Sequence, residues 1–135
     1  MYLSEAERQW APTLWKALRV GRQTWEDLMK PDDQSASGAH TSVVKGVREK
    51  VTNSATAIIH DAVGAAEKEG VNIRPDYIQL NWSDTLEPVE DVDKNAVLSQ
   101  GTRAVIISGA MWVGRTRLID NIVLGREETV KEIIS

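Results

Sequence analysis

Apolar side chains recur at steps of three and four near the start of the chain: Trp10, Leu14, Ala17, Gly21, Trp25 and Leu28. That period predicts one stripe on a helix ending near Lys30 and Pro31. Ser4 and Glu7 carry the spacing of a capping box, in which each side chain accepts a hydrogen bond from a free backbone N–H at a helix start. Pro12 removes one helical bond and pushes Ala11 from the α region, predicting a kink or a short turn near residue 11. A second stripe, Val44, Val47, Val51, Ala55, Ile58, Ala62 and Ala65, predicts an amphipathic helix over residues 42–69, closed by Gly70.

Beyond residue 70 the period falls to two. Ile78, Leu80 and Trp82 alternate with Gln79 and Asn81, as in a strand with one buried face over residues 76–82. Residues 83–88 have turn chemistry, and residues 91–102 are polar and read mostly as loop. Residues 103–113 are apolar at both parities, the mark of a central strand. A tight turn at Gly114 and Arg115 then leads to a returning strand over 117–124, and residues 126–135 read as a short helix. Residues 31–40 have loop composition. Helices first and strands afterwards predict an α+β fold, with long helices packed on one face of a small antiparallel sheet of about three strands.

Composition narrows the function classes. The chain of 135 residues is one domain, long enough to bury about 68% of its unfolded surface. With no cysteine it has neither a disulfide framework nor a thiol nucleophile. A net charge of −4 argues against non-specific nucleic-acid binding. Its longest apolar run, residues 104–113, falls short of the roughly 20 residues of a membrane helix. Glu5, Glu7 and Arg8 stand where a signal peptide would be apolar, so the expected location is the cytoplasm.

Catalytic patterns are scarce. His40 and His60 have no metal-ligand spacing and read as surface residues. Glu87, Glu90, Asp91 and Asp93 read as an acidic surface loop. No glycine-rich phosphate loop is present, and no metal site is expected. Arg115 and Arg117 flank the tight turn and are the candidate anion-binding residues; the competing reading pairs them with Asp120 or a helix carboxylate. Of the five tryptophans, Trp10, Trp25, Trp82 and Trp112 read as core, whereas Trp15 falls off the helical stripe as an interface residue would.

Three segments carry a family likeness. Tyr2-Leu3-Ser4 with Glu7-Arg8, Leu14 and Ala17-Leu18 is the first. Asp76-Tyr77 with Asp84-Thr85-Leu86-Glu87-Pro88-Val89 is the second, and Gly114-Arg115-Thr116-Arg117-Leu118-Ile119-Asp120-Asn121 is the third. In this order they resemble the C-terminal domain of the pantothenate synthetases, the pantoate–β-alanine ligases. The resemblance implies an ATP-dependent, AMP-forming acid–amine ligase that adenylates pantoate and then couples it to β-alanine. In that family ATP and Mg are bound mainly by an N-terminal nucleotide-binding domain with His-x-Gly-His and Ser-Ser-Arg-Asn motifs, neither of which occurs in this sequence. The resemblance therefore implies a lid covering about the C-terminal half of a ligase. Such a lid has no catalytic residue or cofactor of its own, is inactive in isolation, and has the N-terminal domain as partner. The alternative is a self-associating interaction module, with Trp15 and the Gly114–Arg117 turn as contact points; neither nucleic acid nor membrane is an expected partner.

Overall fold

The computed structural model describes residues 3–30, 43–93 and 104–124. The expected loop over 31–40, the helix over 126–135 and His40 lie outside the described residues. None of the described helices is long and apolar enough to cross a membrane.

The first stripe forms two elements. Helix α1 (Glu5–Arg8) opens with the capping box: Glu7 N–H donates to Ser4 Oγ at 3.2 Å and Ser4 N–H to Glu7 Oε1 at 2.8 Å. Pro12 is the N-cap of α2 (Thr13–Met29), where its missing N–H costs no helical bond. Leu14, Ala17, Leu18, Gly21, Trp25 and Met29 form the buried face of α2. Trp10 falls in the turn before it, and is half-buried rather than core. Its Nε1 is buried without a hydrogen-bond partner among the described residues.

The second long helix, α3 (Val47–Glu67), begins later than the periodicity predicts, because Gly46 takes a left-handed conformation at its N-cap. Val44 instead belongs to the two-residue strand β1 (Val43–Val44). The buried face of α3 is Val47, Val51, Ala55, Ile59, Ala62 and Ala66, so its second half presents Ile59 and Ala66 rather than Ile58 and Ala65.

Strands β2 (Ile73–Trp82), β4 (Val105–Val113) and β5 (Thr116–Leu124) make an antiparallel sheet in the order β2-β4-β5. β2 starts earlier than predicted. A register shift between Pro75 and Tyr77 leaves Asp76 as an extra residue, so Ile73 and Leu80 are both buried although their parities differ. β3 (Val92–Asp93) pairs with β1 as a second, two-stranded sheet, correcting the loop reading at those residues.

Helix α2 lies against β4 and β5, and α3 against β2, so both helices cover one face of the larger sheet. The core between the layers includes Leu18, Ile59, Leu80, Ile107, Met111 and Leu124, all fully buried. Close approach is built in at Gly109, where a Cβ would stand 2.8 Å from Ile78 Cδ1 and 3.0 Å from Leu14 Cδ1. Trp112 is half-buried because it points away from the helices, and Trp82 is half-buried at the end of β2; both correct the core reading. Trp25, at 3% exposure, fits it.

Candidate functional site

One part of each family-like segment, Ser4 and Glu7, Asp76 and Tyr77, and the Gly114–Arg117 turn, meets the others at one end of the sheet. The β4–β5 turn supplies the centre. Gly114 has φ +61°, and Leu86 is the sole non-glycine residue of positive φ among the described residues, so Gly114 and Arg115 form a type II′ turn. Its Gly114 N–H donates to Asn72 O at 2.8 Å. The Glu7 carboxylate lies against Gly114 where any Cβ would collide with it. The capping box at the start of the chain is thus seated on the hairpin turn.

Beside this seat, Arg117 Nε donates to Asp76 Oδ2 at 2.8 Å. The bulge makes the pair possible, since Asp76 is the residue pushed out of register on β2 while Arg117 stands two strands away on β5. The Arg117 guanidinium also sits 5.8 Å from the Tyr77 ring centroid. Register sets Arg74, Trp112 and Arg117 in one row across the three strands. Arg74 stacks on Trp112 at 5.3 Å. The row forms an aromatic platform with a guanidinium on each side, on the face turned from α2 and α3.

The two candidate arginines therefore have different surroundings. Arg117 has a carboxylate partner, Asp76, where the competing reading named Asp120 or a helix carboxylate. Arg115 is exposed at the tip of the turn and makes no ion pair among the described residues. Its guanidinium offers five N–H donors in a planar fork suited to carboxylate or phosphate.

The other candidates have structural duties or stand apart. His60 is exposed on α3. The acidic loop serves the start of α3: Gly46 N–H donates to Asp91 Oδ1 at 3.1 Å, Val47 N–H donates to Glu90 O at 2.9 Å, and Glu90 pairs with Arg48 at 3.0 Å. Negative charge there favours the helix N-terminus. Among the described residues no group of three His, Asp or Glu side chains is placed to hold a metal ion. The 83–89 segment folds at the opposite end of β2, about 20 Å from Asp76 at the usual rise per residue. There Trp82 N–H donates to Glu87 O, Val89 N–H to Leu80 O and Asn81 Nδ2 to Leu86 O, each at 2.9–3.0 Å. Sequence reasoning did not find Asp76 as the partner of Arg117; the signal available was Pro75, a residue that favours bulges and edges in strands.

Comparison with known proteins supplies the relatives. The sequence model of the family described as pantoate-beta-alanine ligase matches residues 1–123. A pantothenate synthetase of Thermotoga petrophila is 29% identical over 125 residues, covering 93% of this chain and 33% of its own length. One from Moorella thermoacetica is 30% identical over 123 residues, covering 91% of this chain and 32% of its own length. A bifunctional pantoate ligase/cytidylate kinase of Synechococcus sp. is 31% identical over 126 residues, 93% of this chain and 17% of its own length. The chain thus spans about a third of the pantothenate synthetases it matches, less than the half implied by the resemblance. With the match running from residue 1 to residue 123, the chain belongs to the pantoate-beta-alanine ligase family.

Proposed function

We propose that this chain is the C-terminal lid of a cytoplasmic pantoate–β-alanine ligase, which condenses pantoate with β-alanine through a pantoyl adenylate. The observation that carries the reading is the meeting of Glu7, Gly114, Asp76 and Arg117 at one end of the sheet. Glu7, Asp76 and the Gly114–Arg117 turn, one part of each family-like segment, gather where Leu3 and Ser4 lead into α1, the side on which the family's nucleotide-binding domain would join.

The donor set of this chain does not suit a nucleotide or Mg by itself. Among the described residues no carboxylate cluster is placed for a cation, and Arg115 and Arg74 are exposed cations at this end that make no ion pair among the described residues. ATP and Mg are accordingly assigned to the remainder of the parent protein. The part of this chain is positional. Closing a lid over an acyl adenylate keeps water from a readily hydrolysed intermediate. On closure Arg115 would face the anionic groups of the site, and a charge-assisted hydrogen bond there favours the departing phosphate charge. Arg117, held by Asp76, orients the β5 end of the turn.

The test is ligase activity. The isolated chain, mixed with pantoate, β-alanine and ATP, is expected to form no AMP; AMP accumulating over repeated turnovers would overturn the fragment reading. Fused behind the nucleotide-binding part of the Thermotoga petrophila relative, it is expected to restore turnover, and Arg115→Ala to lower kcat about tenfold, the scale of one lost charge-assisted contact. A fusion that turns over equally well with and without residues 3–124 would refute the lid.

A further inference from the structure

The outer edge of β5 carries features that the lid reading leaves unused. β4 pairs with β5 on one side only, and no strand covers the other side among the described residues. Which backbone groups face outward follows from the turn. A two-residue hairpin makes Val113 and Thr116 the closing pair, and hydrogen-bonded positions alternate along an antiparallel ladder. Even-numbered residues of β5 therefore bond to β4, and Arg117, Ile119, Asn121 and Val123 turn their N–H and C=O groups outward. Consistent with this, the Asn121 N–H donates to Asp120 Oδ1 at 2.8 Å instead of to the ladder.

This edge is unguarded compared with the opposite one. β2 carries Pro75, the Asp76 bulge and a bridge from Asn81 to Pro88. β5 has neither proline nor lysine, and its register with β4 is unbroken over all nine pairs. Natural sheets blunt their edges with such residues, and an edge without them is a template for another strand. The Asp120 carboxylate is the one local block, occupying the Asn121 N–H.

Charge indicates what the edge accepts. Thr24 Oγ1 of α2 bonds Ser54 Oγ of α3 at 2.9 Å, so the flank of α2 turned from α3 overhangs the β5 side. That flank and the outer face beside it carry Trp15, Lys16, Arg19 and Arg22 with Glu26 and Asp27, Glu26 lying 3.8 Å from Arg22. Trp15 is 47% exposed, with the Arg19 guanidinium 4.5 Å from its ring centroid. An open depression of about 350 Å³ runs along these residues, lined by Lys16, Arg19, Val20, Arg22, Gln23 and Glu26. On the other side of the edge stand Arg117 and Ile119, the latter 59% exposed. A second copy of β5 fits poorly. Full two-fold overlap would set Asp120 against Asp120 and crowd two basic flanks together, and like charges directly opposite are destabilising.

We propose that the outer edge of β5 is a strand-addition site for an extended partner segment in which Asp or Glu alternate with apolar residues. The partner backbone would pair with Arg117, Ile119 and Asn121; alternation then turns its acidic side chains to the helix side, towards Arg19 and Arg22, and its apolar ones to the open face beside Ile119.

The experiment titrates the full chain into a fluorescein-labelled nine-residue peptide of alternating Glu and Val, with the Lys and Val counterpart as control. Anisotropy is expected to report binding of the Glu peptide alone, weakening about tenfold between 0.05 and 0.5 M salt as screening predicts. Amide shifts on binding should concentrate at residues 117–123. Ile119→Pro removes an outward N–H without touching the β4 ladder, and should weaken binding at least about tenfold. Arg19→Glu with Arg22→Glu, on an exposed helix face, should do the same with the fold intact, and Asp120→Ala should tighten binding about threefold by freeing the Asn121 N–H. Equal binding of both peptides, no binding at millimolar protein, or shifts away from β5 would overturn the proposal. So would a concentration-dependent dimer that Ile119→Pro abolishes, or binding that appears only after residues 125–135 are removed, since either would assign the edge to another occupant.

Discussion

The two faces of the β2-β4-β5 sheet follow different rules. On the helix-covered face Ile73, Leu80, Val105, Ile107, Met111, Val113 and Leu124 are all buried, and even Gly109 has no room for a methyl group. The opposite face carries Arg74, Tyr77, Gln79, Trp112, Arg117, Ile119 and Asn121, and neither of the long described helices lies over it. Burial of apolar area is the main source of stability, so folding energy is concentrated on the first face. The second is left to present charge and aromatic surface, and a single strand, β4, serves both through its alternation.

Substitutions on each face test this division. Ile107→Ala, at a fully buried position against α2, should lower unfolding free energy by about 2–5 kcal/mol in urea titrations. A loss below about 1 kcal/mol would mean that the layers are not packed as described. Gly109→Ala tests space rather than area. Its new methyl would meet Ile78, Leu14 and Leu18 within 3.2 Å, and overpacking of this kind costs about 1–3 kcal/mol. On the open face the effects should be smaller. A double-mutant cycle of Arg117→Ala and Asp76→Ala is expected to give a coupling of about 0.2–1 kcal/mol, because both side chains are about a third exposed and solvent screens the pair. Ile119→Thr should change stability by less than about 0.5 kcal/mol. A large loss at Ile119 would show that the open face is covered after all.

The same contrast explains how much of the molecule was legible. The covered face was readable because burial imposes a period: the two long helices, the central strand and the return after Gly114 all follow from apolar spacing. What escaped detection had no period to show. The β1–β3 pair is too short to alternate. The bulge at Asp76 reverses parity inside β2, so the alternation beginning at Ile78 does not extend back to Ile73. One-residue errors at Ile58 and Ala65 on α3 arose because neighbouring positions are equally apolar, and only the left-handed Gly46 sets where the helix starts. The candidate site was legible in part. Arg115 and Arg117 were found from turn chemistry, but the partner of Arg117 lies 41 residues earlier, and no local pattern records that distance. Equally, the acidic loop looked like idle surface charge until α3 was seen to begin against it.

The contact between Glu7 and Gly114 also has a kinetic meaning. It joins the first turn of helix to the last hairpin described, across most of the chain. A loop of that length must close before either end gains anything from the contact, and such non-local closure slows folding. On the ribosome α1 would wait, without its final neighbour, until the β4–β5 hairpin had emerged. Until that moment the capping box is held only by its own two hydrogen bonds.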